Sequence, residues 1–288
     1  MSSPILPSGL AELAPAYDAI LCDVWGVIHN GREAFPEACA ALARYRAERG
    51  PVVLISNAPR PSRALYGQLD GVGAPREAWS AFVTSGDATR ALLAERAGPV
   101  WKLGPERDDP LYEGLGLGFA QDIEDAGFIC ATGPFDEETE TPEDYRARLE
   151  RALSRNLEFI CANPDRMVQK GDRLVLCAGA IADLYASLGG RVTMAGKPHA
   201  PIYRQSLEEA ALQLGRPLDH AKVLCIGDGV STDVLGAQRQ GLDCLFLWGG
   251  VHAADLQAGA EAAEAERAAA FLVKHEAMAK YAMPELVW

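Results

Sequence analysis

Nothing in this sequence sets up a zinc centre or a disulfide framework, because its seven cysteines lie singly, without a C-x-x-C pair or zinc-ligand spacing. A chain of 288 residues buries a core without covalent staples. The odd number of thiols therefore reads as reduced, as in a cytosol. Long apolar runs are also missing: no stretch approaches the ~20 apolar residues of a membrane span. Met1 to Ala16 contains no cationic stretch followed by an apolar one. The expectation is a soluble cytoplasmic protein with no membrane partner. Basic residues are scarce, with 27 Lys plus Arg against 40 Asp plus Glu and a formal charge of −13. The summed field repels a polyanion, so a nucleic-acid partner is not expected. A phosphorylated small molecule is not excluded, since a metal ion and a few placed donors set the local field. The chain also lacks G-x-S-x-G and H-E-x-x-H, which removes the usual support for a serine hydrolase or a zinc protease.

What is present is a repeated alternation of short apolar runs and helical patterns. Ala19 to Cys22 reads as a buried strand running into Asp23. A helix pattern follows from Pro36 to about Glu48, with proline in its first turn and Gly50 as a stop. Pro51 to Ile55 is a second buried strand ending at Ser56-Asn57, and a further helix starts near Pro61-Ser62. The theme resumes at Lys222 to Ile226, entering Gly227-Asp228, and at Cys244 to Leu247. Such β-α-β alternation predicts an α/β fold, a doubly wound parallel sheet with helices on both faces. Between Gly98 and about Gly190 the pattern changes to a separate α/β lobe, with strands expected at Val100 to Leu103 and Phe128 to Ala131. Gly114 to Gly118 has the wrong spacing for a dinucleotide fingerprint and reads as a loop or helix end. Ala253 to Lys280 reads as one or two surface helices.

Polar groups fall at strand ends or in turns: Asp23, Ser56, Lys197 and the pair Asp228 and Asp233. In an open parallel sheet, ligands sit outside the carboxyl ends of the strands, so groups ending separate strands converge although distant in sequence. Three carboxylates without Cys or His are hard oxygen ligands, which suit Mg²⁺ rather than zinc. A lysine and a serine beside them suit phosphoryl oxygens.

At these residues the sequence resembles the haloacid dehalogenase-like (HAD) superfamily. ILCDVWGVIHNG, VVLISNAPR, AGKPH and VLCIGDGVSTDVLGA are similar to its four motifs, in order and with comparable spacing. VTSGDATRALL and FICANPDRMV, with the run through VTMAGKPHAPIY, resemble the class IIA branch. Sugar-phosphate, nucleotide and pyridoxal phosphate phosphatases are typical members of that branch. The likeness spans about Tyr17 to Val251. It implies a Rossmann-like core in two parts, residues 1–90 and 193–288, with an inserted α/β cap domain at 91–192. It also implies a Mg²⁺-dependent phosphatase acting through an aspartyl phosphate, and caps of this kind often mediate a homodimer. By the resemblance, Asp23 is the nucleophile, and Ser56 and Lys197 hold the transferring oxygens. Asp23, the backbone carbonyl of Trp25 and Asp228 bind the metal, while Asp233 holds a metal-bound water or Lys197. Asn57, Asn163 and Asp165 form the substrate-facing set, with Asn57 shaping its loop rather than reacting.

One position departs from the pattern. Phosphatases of the family carry a second Asp two residues after the nucleophile, as general acid and base, and here that position is Trp25. An indole donates one N–H and cannot accept a proton. Haloacid dehalogenases also carry an aromatic residue there, which leaves a dehalogenase-type hydrolase open, as well as a catalytically weakened ligand-binding or regulatory member. His29 could stand in for the missing acid, although a polar flap residue is the plainer reading. His199 reads as fixing the start of the helix after Lys197-Pro198, and Cys22 and Cys225 read as small core residues.

Overall fold

The computed structural model describes residues 3–170, 173–252 and 264–288. It divides into two compact units, one formed by Met1–Ser56, Tyr66–Val83 and Lys197–Trp288, the other by Asn57–Leu65 and Thr84–Gly196. Numbered along the chain, the first unit holds strands β1 (Ala19–Asp23), β2 (Val52–Ser56), β3 (Ala81–Thr84), β10 (Val223–Gly227), β11 (Asp243–Leu247) and β12 (Tyr281–Met283). The second holds β4 (Val100–Leu103), β5 (Phe128–Ala131), β6 (Glu158–Cys161) and β9 (Arg191–Met194), with a hairpin of β7 (Met167–Lys170) and β8 (Arg173–Leu176).

The six strands of the first unit lie in the order β12-β11-β10-β1-β2-β3, and the pairs from β12 through β2 are parallel. The chain leaves β1 toward β2 and β3, then returns on the other side of β1 as β10. The order therefore reverses between β1 and β10, and sheets of this kind bind ligands outside the carboxyl ends of the strands at such a point. Helices cover such a sheet on both faces, so β1, β2 and β10 are continuous apolar runs rather than alternating ones. The helix Pro36–Glu48 opens with proline at its first position, where a missing N–H costs nothing, and carries Glu37 in its first turn. Its Tyr45 is fully buried and donates its hydroxyl to the Tyr17 carbonyl at 3.0 Å, tying the helix to the segment that enters β1. The helix Ala200–Leu214 packs on β1 and β2.

The second unit has its own four-stranded parallel sheet, ordered β4-β5-β6-β9. Side chains alternate between its faces. Trp101, Leu103, Ile129, Ala131, Phe159 and Cys161 join one core cluster with Leu149, Ile181 and Tyr185 of the helices Arg146–Ser154 and Ala178–Ser187. Val100, Phe128, Cys130 and Ile160 join another with Leu93, Leu111 and Tyr112. A sheet buried on both sides gives this inserted α/β domain an interior of its own. At the start of helix Ser85–Ala94, Thr84 and Asp87 form a reciprocal capping box, each side chain taking the other's backbone N–H.

Two expectations need correction. The helix expected to run as far as Lys280 ends at Lys274, and residues 275–280 form a turn and an extended entry into β12. Residues 253–263 of that expected helix lie outside the described residues. His199 occupies the N-cap of helix Ala200–Leu214, but its side chain makes no cap hydrogen bond. Pro201 in the first turn starts that helix instead. Gly114 to Gly118 is a loop, with Gly114 and Gly116 in left-handed backbone.

Replacing Tyr45 by Phe keeps the ring in place and removes the donor to the Tyr17 carbonyl. Urea denaturation of Tyr45→Phe is expected to show a loss of about 1–2 kcal/mol with an unchanged m value.

Candidate active site

Asp23 ends β1 and Ser56 ends β2, and the register sets Asp23 beside Ile55, so the two polar ends leave the sheet side by side. Asp228 follows β10 directly, on the other flank of β1. Asp233 arrives through an unusual turn. Residues Val230–Val234 form one π-helical turn, in which the Gly229 carbonyl accepts the N–H groups of Asp233 at 2.8 Å and of Val234 at 3.2 Å. Such widened turns recur at functional sites. Lys197 enters from the start of the last third of the chain, only 3% exposed.

These residues meet. The Lys197 ammonium donates to Asp23 Oδ1 at 2.5 Å and to Asp233 Oδ1 at 2.8 Å. Carboxylate oxygens of Asp23, Asp228 and Asp233 all lie within 4.8 Å of one another, and all three side chains are buried. Asp233 Oδ2 accepts the Gly229 N–H at 3.1 Å, and Asp228 Oδ2 accepts the Val251 N–H at 2.7 Å. Two glycines close on Asp228. A Cβ on Gly26, whose φ is +81°, or on Gly250 would stand 2.1 Å from Asp228 Oδ2. The backbone after Trp25 thus runs against the carboxylate itself, and an alanine at either position would displace it.

The charge balance shows what the cluster lacks. Burial, then the neighbouring Asp233 charge, push Asp23 well above the usual carboxylate range, while Lys197 opposes the shift. Asp228 is pushed up to about 6 by burial and by Asp233. Burial works against the Lys197 ammonium, but Asp23 and Asp233 outweigh it and hold the amine protonated above the ordinary lysine range. Three carboxylates facing one ammonium leave an excess of buried negative charge, which a divalent cation on hard oxygen donors would balance. The donor set, all carboxylate oxygen, is of the kind that takes a hard divalent cation, and Asp233 Oδ1 is engaged by Lys197.

The other sequence-based candidates form a separate set. In the second unit, Asn57 donates its side-chain amide to Asp165 Oδ1 at 2.8 Å, and the Asp165 N–H donates to Asn163 Oδ1 at 3.1 Å. The structure thus brings Asn57, Asn163 and Asp165 together, with the Asn57 amide tied to the Asp165 carboxylate. Trp25 keeps 43% of its surface exposed. His29 is 2% exposed, its pKa is lowered by burial, and its Nδ1 accepts the Gly31 N–H at 2.9 Å. It is a buried ring braced by the backbone. Sequence reasoning missed Gly250 and the Val251 N–H, for which the Gly249-Gly250 pair after β11 was the one visible signal.

Comparison with known proteins places the chain among relatives of one family. The profile of the haloacid dehalogenase-like hydrolases matches residues 20–118, and a second HAD-like hydrolase profile matches residues 194–275. A crystal structure of a hydrolase of the haloacid dehalogenase-like family from Brucella suis 1330 is 50% identical, covers 87% of this chain and 92% of that one, and superposes with a TM-score of 0.81. The 5'-nucleotidase YutF of Bacillus subtilis (strain 168) is 25% identical over 238 residues, 82% of this chain and 88% of its own length. The glycerol phosphate phosphatase Rv1692 of Mycobacterium tuberculosis, in complex with calcium, shares the fold at 22% identity and a TM-score of 0.64, over 83% of this chain and 68% of that one.

Gly250→Ala tests the cradle of Asp228 without touching a charged group. Its circular dichroism should match the wild type, while calorimetric affinity for Mg²⁺ drops about tenfold or more, as for loss of a group that orients a metal ligand. An unchanged affinity would mean that Asp228 is not held for a metal.

Proposed function

The chain belongs to the haloacid dehalogenase-like hydrolases, and from that premise we propose that it is a Mg²⁺-dependent phosphatase of a small phosphorylated metabolite, working through an aspartyl phosphate on Asp23. The observation that carries the reading is the buried group of Asp23, Asp228, Asp233 and Lys197 gathered at the reversal point between β1 and β10. The similarity to a 5'-nucleotidase and the fold shared with a glycerol phosphate phosphatase support it.

In this mechanism an oxygen of the Asp23 carboxylate attacks phosphorus in line, the bond from phosphorus to the ester oxygen breaks, and water later cleaves the acyl phosphate. A bound Mg²⁺ would be held by Asp23, the backbone carbonyl of Trp25 and Asp228, and would neutralise charge on the phosphoryl oxygens. Lys197 favours the ionised form of Asp23 and, with the Ser56 hydroxyl, faces the transferring oxygens. Asp233 positions Lys197 through their 2.8 Å bond. Asn57, Asn163 and Asp165 are the candidate substrate contacts from the inserted domain. The partner is thus a small phosphate ester, and the setting is cytoplasmic. All seven cysteines are buried free thiols, and among the described residues no helix is long and apolar enough to cross a membrane.

Trp25 shapes the expected kinetics. With an indole where a proton donor stands in related phosphatases, the leaving oxygen departs unprotonated, and water attacks the acyl phosphate without a neighbouring base. Missing general acid–base catalysis is worth ~10²–10⁴ in rate. Aryl phosphates should therefore outrun alkyl phosphates, with a burst of product in the first turnover.

Asp23→Asn is expected to abolish phosphate release with the fold intact, and EDTA should abolish it in the wild type. Turnover that survives either treatment rules out the site, and halide released from short 2-haloacids would point to the dehalogenase chemistry instead. Trp25→Asp is expected to raise kcat on glycerol phosphate about tenfold or more, and on p-nitrophenyl phosphate much less. Equal gains on both substrates would show that the proton already comes from elsewhere.

A further inference from the structure

Trp25 does more than leave out a proton donor. The indole keeps 43% of its surface in water, two residues after Asp23, so a flat face is open to a ligand. The loop around it is built to hold the ring still. Gly31 has φ +85°, and a Cβ there would lie 2.2 Å from Trp25 Cη2 and 2.5 Å from Cζ3. Only glycine permits both that backbone and that approach, so the six-membered ring of the indole rests directly on the chain. The His29 ring meets the indole edge-on, with centroids 5.4 Å apart and planes at 81°, and is itself fixed by the Gly31 N–H. The Gly26 N–H donates to the His29 carbonyl at 2.9 Å and the Ile28 N–H to the Val24 carbonyl at 3.0 Å, which pins the backbone on both sides of Trp25. The next residue, Gly26, presses on the Asp228 carboxylate. The residue that carries the braced ring is thus next in the chain to the glycine that abuts Asp228.

We propose that Trp25 is a stacking platform, and that the substrate is a phosphate monoester whose leaving group is a flat aromatic ring bearing the ester oxygen. The proposal rests on the phosphatase reading and narrows it. Two properties of one side chain converge on this class. An aromatic alkoxide leaves without a proton, which the indole cannot give, and its π-face stacks on the exposed indole, which an aspartate at this position could not offer. An already immobilised ring loses little freedom on stacking, so the contact appears as affinity rather than being spent on ordering.

Two phosphonates with a six-carbon ring, one flat and aromatic and the other saturated, provide the test when titrated at a pH where both are dianions. Calorimetric titration of the Mg²⁺-loaded protein is expected to give phenylphosphonate about five- to tenfold tighter binding than cyclohexylphosphonate. The ratio should persist in Trp25→Phe and fall to about one in Trp25→Leu. It should fall equally in Gly31→Ala, in which the indole is unseated and no ring is removed. Equal binding of the two by the wild type, binding of neither, or a ratio that survives Trp25→Leu overturns the platform. Phosphate release from p-nitrophenyl phosphate in the same preparation separates the failures. Release with equal phosphonate affinities sinks the platform alone, whereas no release sinks the phosphatase reading beneath it.

Discussion

The Lys197 ammonium sits between Asp23 and Asp233, at 2.5 and 2.8 Å, in a region that water scarcely enters. Removing charges from water costs several kcal/mol per ion unless each is paired in good geometry, so this contact dictates where three distant stretches of chain must meet. Lys197 and Asp23 are 174 positions apart. They meet because β10 returns to the side of β1 opposite β2, and because a π-turn carries Asp233 back toward the same point. The pairing leaves charge over. Asp228 has backbone donors and no ammonium of its own, and the surplus negative charge invites a small dication and then an anionic ester. A net charge of −13 over the whole chain is no obstacle to that, since field at a site is set by groups a few ångströms away.

Much of this is legible in the sequence because the strands that position the site are long, apolar and end in polar residues. β1, β2, β10 and β11 fall where uninterrupted apolar runs lie, and Asp23, Ser56 and Asp228 sit at or just past their ends. β3, β6 and β9 give no comparable signal. Each has four residues, and β9 is half exposed and begins with arginine, so no periodicity separates it from a loop. The hairpin of β7 and β8 is equally short, and β12 has only three residues. The grip on Asp228 is hidden for a different reason. It depends on Gly250 and Val251 lying against a residue more than twenty positions earlier, and such an approach leaves no local trace. His199 does not cap its helix because a proline in the first helical turn already starts it.

Trp25 and His29 show how one loop can combine rigidity with exposure. Burial lowers the pKa of His29, and its ring and its Nδ1 brace the segment. The indole then remains fixed without being enclosed. The departure from the family pattern at this position is therefore more than a lost carboxylate, because neighbouring residues are shaped around the replacement.

The division of the chain into a unit drawn almost wholly from one stretch and a core assembled from three separate segments bears on the order in which the protein takes shape. The four-stranded sheet of the inserted unit closes from contacts within residues 84–196, together with the short piece 57–65. The core sheet cannot seat β1 against β10 until residue 227 has been made. Contacts that join remote segments form slowly, and domains of a nascent chain fold as units from the amino end. On a ribosome, then, the insert is expected to be compact while β1, β2 and β3 still wait for their partners with apolar faces uncovered. Asp23 would exist for most of synthesis without Lys197 or the later carboxylates. The buried ionic cluster is thereby withheld until the last third of the polypeptide has emerged, and a truncated product would carry the second unit without it.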